Sequence, residues 1–93
     1  MSITFEWSLK KAFENSRKHG VSFEEAKTCF GDQISQTIHD PEHSYVEDRY
    51  VLLGMSTQTR ILVVVHTERD DNIRIISARP ANRRETAIYL QSH

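Results

Sequence analysis

The sequence predicts an α+β fold: an antiparallel sheet of four to five strands, preceded by two helices and followed by one. Three observations carry this. Two capped helical stretches follow one another, from Ser8 to Gly20 and from Ser22 to Gly31; strand-like runs then succeed each other through short polar turns; a last helical stretch opens after Asn82. Strands joined by short turns pair antiparallel, and helices grouped at the ends of a sequence pack as a layer on one face of a sheet.

Ile3 to Trp7 is a short strand-like start. Ser8 is placed to cap a helix running to about His19, with Gly20 as its left-handed stop and Leu9, Ala12, Phe13 and Ser16 as its apolar or small face. Ser22 and Glu25 make a capping box for the second helix, Val21 and Ala26 occupy staple positions, and Phe23, Ala26, Cys29 and Phe30 share the expected buried side. Ile34, Gln36 and Ile38 then alternate with polar residues, and His39 to Ser44 form a turn around Pro41. Asp48 to Met55, Arg60 to Thr67 and Asn72 to Arg79 are the next strands. Pro80 stops the last one, Asn82 caps the closing helix, and Ala87, Ile88 and Leu90 are its main apolar positions.

The 93 residues are read as one domain, 1–93, because a chain this short does not build a second independent core. With 38% hydrophobic and 27% charged residues the composition suits a soluble globular protein, and the longest apolar run, Ile61 to Val65, is strand-sized. The opening MSITFEW lacks the basic and apolar segments of an export signal, so a cytoplasmic location and no membrane partner are expected. A single cysteine, Cys29, excludes an internal disulfide and a cysteine-based zinc site, and its apolar spacing reads as a buried structural thiol.

The net charge of −1 hides an uneven distribution. Asp32 to Asp48 carries five acids and no lysine or arginine, whereas Arg49 to the end carries seven arginines against four acids. Local field, rather than the total, decides whether a phosphate is attracted.

The stretch VVVHTERDDNIRIISAR (Val63 to Arg79) ends an apolar strand in a histidine and returns with arginines. Side chains alternate along a strand, so His66 and Glu68 share one face. An even-numbered connection would add Ile75, Ser77 and Arg79 to that face; an odd one would add Arg74, Ile76 and Ala78 instead. RDDN lacks the signature of a defined two-residue turn and leaves the register open; in either register one arginine joins His66. Imidazole can transfer protons near neutral pH, and guanidinium can stabilise phosphate charge. Together they supply the minimum for metal-free RNA cleavage: a base takes the 2′-hydroxyl proton, that oxygen attacks phosphorus, and an acid protonates the departing 5′-oxygen. A hydrogen-bonded structural histidine at a strand end is the ordinary alternative.

Other residues have plainer readings. His39, Asp40, Glu42 and His43 resemble a ligand cluster, but Pro41 prevents the regular helix that a paired-histidine metal motif uses, so a polar turn is expected and no metal. Trp7 and Tyr50 suit base stacking or rim packing. Lys18 and His19 complement a helix dipole as well as they would a phosphate. Arg83 and Arg84, early in the last helix, oppose that dipole, which favours a phosphate or partner for them, with solvent as the default.

FEW (Phe5 to Trp7), KKAFEN (Lys10 to Asn15), KHGVSFEEA (Lys18 to Ala26), DRYVLLGMS, VVVHTER and IRIISARPANRRE occur in this order over nearly the whole chain and resemble the BrnT family of bacterial toxins. The resemblance implies a RelE-like α+β ribonuclease of a type II toxin–antitoxin system, without cofactor. It implies His66 as acid or base, Arg79 and Arg49 as phosphate-stabilising groups, and Glu68 as an orienting or proton-transfer partner; Lys18, Tyr50 and Arg69 complete the implied RNA contacts. It further implies a BrnA-like ribbon-helix-helix antitoxin in a heterotetramer, with operator DNA bound mainly through the antitoxin; the acidic Asp32 to Asp48 segment of this chain, unlike a DNA contact surface, reads as an antitoxin-docking or solvated edge. Asp48 stands where the family's stretch begins with glutamate, Ser8-Leu9 replaces Asp-Pro, and Asp70-Asp71 replaces a glycine-containing turn. The competing expectation is a non-catalytic, degenerate toxin that binds its antitoxin and acts in transcriptional autorepression; a metal-dependent nuclease comes third.

Overall fold

The computed structural model describes residues 2–43 and 47–91. Ser44 of the expected turn and the terminal His93 lie outside the described residues. The elements follow as β1 (Thr4–Glu6), α1 (Leu9–His19), α2 (Phe23–Thr28), a 3₁₀ turn (Cys29–Gly31), β2 (Gln36–Asp40), a second 3₁₀ turn (Pro41–His43), β3 (Arg49–Met55), β4 (Ile61–Arg69), β5 (Asn72–Pro80) and α3 (Arg83–Leu90). They form one five-stranded sheet of order β1-β5-β4-β3-β2. The pairs within β2 to β5 are antiparallel, as short connections require, while β1 joins β5 in parallel. The sheet is therefore mixed. The long crossover from β1 through two helices and three strands is what allows that parallel pair.

Helix starts fall where the residues predict, and so does the stop of α1, but α2 ends early at Thr28 and a 3₁₀ turn carries the chain to the expected exit at Gly31. The Ser8 hydroxyl accepts from the Lys11 N–H, and Gly20 (φ 67°) closes α1 in the left-handed region, its N–H donating to the Ser16 carbonyl. Ser22 accepts from the Glu25 N–H, but the reciprocal half of the expected capping box is missing. The buried Glu25 carboxylate turns to Arg60 Nε (2.9 Å) and Nη2 (2.5 Å) and to the Ser56 hydroxyl (2.7 Å), tying α2 to the β3–β4 turn. The complete capping box belongs to α3, where Asn82 and Glu85 bond each other's backbone N–H.

The core lies between α1–α2 and one sheet face, here the inner face. Val21, Phe23, Ala26 and Cys29 pack there with Leu52, Leu62, Val64, Ile75 and Ala78. The expected core face of α1 needs correction: Leu9 is 82% and Phe13 64% exposed, while Asn15 is the buried residue and Ala12 packs at the core edge. Asn15 turns inward because β1 covers β5 only from Asn72 to Arg74. Beyond that the backbone of Ala78 faces the open edge, and the Asn15 amide donates to its carbonyl (2.8 Å) and accepts from its N–H (3.0 Å), as a neighbouring strand would.

The expectation of a single helical layer also needs correction. Ile88 and Glu85 of α3 line a groove with Val51, Leu53 and Val63, side chains of the outer face, so α3 borders the side opposite α1 and α2. Its buried residue is Tyr89, whose hydroxyl donates to Asp32 Oδ2 at 2.6 Å, while its main apolar positions Ala87, Ile88 and Leu90 are exposed. Asp32 Oδ2 also accepts from the Met55 N–H, so part of the acidic segment is consumed in joining elements.

Candidate functional site: the arginine cleft on the outer sheet face

β4 and β5 are joined by a two-residue turn, Asp70-Asp71, with Asp70 at φ 54° and Arg69 paired to Asn72. This is the even-numbered connection, and it puts Ile75 opposite His66 as that register requires. The register then shifts: Val65 pairs with Ser77, leaving Ile76 as the extra residue of a β-bulge. One extra residue exchanges the faces of everything beyond it. Ala78 therefore enters the core beside Val64, and Arg79 moves to the outer face opposite Val63.

The consequence for His66 overturns the expectation that one arginine joins it in either register. Arg74 pairs with Thr67 on the outer face, and Arg79 reaches that face through the bulge. His66 itself is fully buried. Its Nε2 bonds Glu68 Oε2 at 2.8 Å, Nδ1 lies 3.4 Å from the Val64 carbonyl, Phe30 meets the ring edge-on at 4.8 Å, and Tyr50 stacks on it at 5.9 Å. No guanidinium is among these contacts. Glu68, with 43% of its side chain exposed, is the accessible end of the pair. Tyr50 is half-buried between His66 and His39 (5.4 Å), and His39 Nε2 is 3.0 Å from Asp48. Trp7 packs edge-on against Phe23 at 5.9 Å, in the core margin.

The outer face is where cations gather. Across the strands Asp40, Arg49, Thr67 and Arg74 occupy one row, which the parallel register extends to Glu6. Arg69, two residues along from Thr67, shares this face. An open cleft of about 270 Å³ is lined by Glu6, Glu47, Thr67, Arg69, Asn72 and Arg74. Arg74 Nη1 pairs with Glu6 Oε2 (2.6 Å), Arg69 Nη2 with Glu47 Oε2 (3.2 Å), and the Asn72 amide donates to the other Glu6 oxygen. These donors, Asn72 first and then Arg74, hold the Glu6 carboxyl below its ordinary range.

Arg79 stands apart from that row. Val63, its partner, precedes Thr67 by four residues, ~13 Å along a strand. Its guanidinium forms a two-point pair with Glu85 (2.7 and 2.8 Å), which lowers the Glu85 pKa and raises its own. Lys18 lines shallow depressions along α1 that share no residue with the cleft. Arg83 and Arg84 are exposed in the first turn of α3. Among the described residues no group of three or more acids, histidines or cysteines is arranged to hold a metal ion.

Thus the structure gathers Arg49 and Arg69, keeps His66 with Glu68 and Tyr50 on the other face, and leaves Arg79 and Lys18 elsewhere. It adds Glu6 and Thr67, which sequence reasoning missed as site residues, and Arg74, which it weighed only as a neighbour of His66 across an odd-numbered connection. Part of the signal was present: alternation puts Thr67 and Arg69 on one side of β4 and the even-numbered turn adds Arg74 to it, whereas the pairing of β1, which brings in Glu6, could not be read.

Residues 7–85 match the family described as ribonuclease toxin, BrnT, of type II toxin–antitoxin system. The chain belongs to the BrnT family. This BrnT-family chain is a ribonuclease toxin of a type II toxin–antitoxin system, with an RNA substrate and an antitoxin partner. Its fold is also that of the Brucella abortus ribonuclease toxin BrnT, known from a crystal structure at 1.1 Å: TM-score 0.68 and 18% identity, over 88% of this chain and 100% of that one. No curated protein matches. No helix among the described residues of this BrnT-family chain is long and apolar enough to cross a membrane.

Proposed function

We propose that this toxin cleaves RNA without a metal ion, by 2′-hydroxyl attack, on the outer sheet face at the arginine cleft. The supporting observation is that the guanidiniums of Arg69 and Arg74, the side chain of Thr67 and two carboxylates line one open cleft. Arg49 adds a third guanidinium beside Thr67. Paired donors of this kind stabilise the charge that grows on the phosphate oxygens. A phosphate arriving between Arg69 and Arg74 competes with Glu47 and Glu6 for them. Once Arg74 turns to the phosphate, Glu6 loses one of the hydrogen bonds that hold its pKa down. Its basicity rises when substrate is in place, and it takes the 2′-hydroxyl proton. The 2′-oxygen then bonds to phosphorus as the bond to the 5′-oxygen breaks, and the departing 5′-oxygen takes a proton from solvent water reaching the open cleft.

In this reading His66 acts as a positioning residue, holding Glu68 and the end of β4 that carries Thr67 and Arg69. Arg79 sets α3 through Glu85. Tyr50, stacked on His66 on the opposite face, helps to hold that imidazole, and Lys18 stands on α1 apart from the cleft. The antitoxin is a BrnA-like ribbon-helix-helix protein, in a heterotetramer that binds operator DNA mainly through it, and the site of action is the cytoplasm.

One observation favours the second reading, a non-catalytic module that binds antitoxin and represses transcription: Arg69, Arg74 and Arg79 are all paired to carboxylates of the chain itself. Incubation of labelled single-stranded RNA with antitoxin-free protein in excess chelator separates the two. The proposal expects cleavage, lowered about 100-fold or more by Arg74→Ala. Intact RNA with well-folded protein supports the module.

A further inference from the structure

The apolar stripe that the sequence places on α1 is not used by the fold. Leu9 and Phe13 follow at i and i+4 on one side of the helix and stand in solvent, at 82% and 64% exposure, while the core is met through Ala12 and Asn15. Arg17, one turn further along the same stripe, lays its guanidinium over the Phe13 ring at 5.8 Å from the centroid. Lys10, Lys11 and Lys18 complete a helix with four lysines and arginines and a single acid, Glu14, in a chain whose net charge is −1. Singly exposed apolar residues are ordinary, but two large ones aligned on a helix face, with Arg17 and Lys18 beside Phe13 and only Glu14 between them, make a docking stripe of net positive charge.

We propose that this face of α1 docks an acidic amphipathic segment of the antitoxin; the inference rests on membership of a toxin–antitoxin family. Charge complementarity selects the occupant. The excess of cations asks for an acidic partner, and the two apolar anchors at helical spacing ask for one with apolar side chains of its own. An RNA strand would engage Phe13 and Arg17 but leave Leu9 uncovered, whereas an amphipathic peptide covers all three. The stripe shares no residue with the arginine cleft, so the antitoxin gains a hold on the toxin that does not depend on the catalytic groups.

The test uses the protein encoded in the reading frame beside this gene, titrated onto the whole chain by calorimetry at low and high salt. Leu9→Ser and Phe13→Ser are each expected to weaken binding about tenfold or more. Arg17→Glu is expected to weaken it and flatten its salt dependence. RNA cleavage and thermal midpoint are expected to stay unchanged in all three, since these side chains are exposed. Unaltered affinity in Leu9→Ser and Phe13→Ser overturns the proposal. So does loss of RNA binding with intact partner binding, which would make the face an RNA surface. If the wild-type chain fails to bind the neighbouring product, the antitoxin reading falls together with the docking site.

Discussion

His66 Nε2 lies 2.8 Å from Glu68 Oε2, with the imidazole fully buried and the carboxylate close to half exposed. Truncating the buried ring removes its contacts with Phe30 and Tyr50 and leaves a cavity. His66→Ala is expected to cost about 3 kcal/mol and to lower the thermal midpoint by roughly 10 °C or more. Glu68→Gln, at the accessible end, is expected to change stability by less than about 1 kcal/mol. Thermal melts beside RNA cleavage assays check the positioning role. A His66→Ala protein that melts like wild type yet fails to cleave would show the imidazole acting on RNA directly.

Glu25 and Arg60 join α2 to the β3–β4 turn. Removing the buried carboxylate takes two hydrogen bonds from Arg60, which keeps the Gly20 carbonyl and reaches solvent, and one from the Ser56 hydroxyl, so Glu25→Ala is expected to destabilise by about 2 kcal/mol. Hydrogen bonding from Arg60 and Ser56 keeps the Glu25 carboxyl below the ordinary glutamate range against the opposing effect of burial. The folded value is lower than the unfolded one, so this stabilisation is fully present above about pH 4.5 and fades as the pH falls through the folded value. Urea titrations between pH 3 and 7 should show acid sensitivity that is reduced in Glu25→Gln. An unchanged pH slope would count against it.

Cys29 and Tyr89 carry the opposite sign. Burial, with Glu25 and then Asp32 nearby, pushes the Cys29 thiol up to about 12; burial and the hydrogen bond to Asp32 push the Tyr89 hydroxyl up to about 12. Both values exceed the unfolded ones, so the stabilisation holds at neutral pH and is lost progressively above about pH 9. In native protein at pH 8 a disulfide reagent is expected to react with Cys29 only at the rate of unfolding. Labelling as fast as in urea would contradict the burial.

Asn15 stands in for a missing strand at the edge of β5. Asn15→Leu preserves size but leaves the N–H and carbonyl of Ala78 and the carbonyl of Val21 without this partner, a loss expected to exceed about 2 kcal/mol. Hydrogen exchange should show the Ala78 amide losing protection before its neighbours in β4. Equal protection in the variant would mean that the edge is held some other way.

Local signals were readable in this chain because their causes are local. Ser8, Ser22, Asn82 and Gly20 act on backbone groups within four residues, and the valines of β4 mark a buried strand wherever it sits. The motif blocks likewise identified the family without any distance being known. What alternation alone could not supply were contacts across the sheet. Glu25 has the spacing of a capping residue, yet a guanidinium 35 positions away competes successfully for its carboxylate. Leu9 and Phe13 have the spacing of core residues, yet an open strand edge draws Asn15 inward and rotates them into solvent.

The sequence by itself determined the elements, their order and the chemistry available: one buried thiol, one histidine beside a glutamate, and arginines clustered in the second half. The tertiary structure alone decided which of these meet. A single extra residue at Ile76 moves Arg79 across the sheet, because side chains on a strand alternate with a period of two and the bulge breaks that count once. The pairing register then aligns Arg49, Thr67, Arg74 and Glu6 over four strands far apart in the chain, a coincidence that no window of neighbouring residues contains.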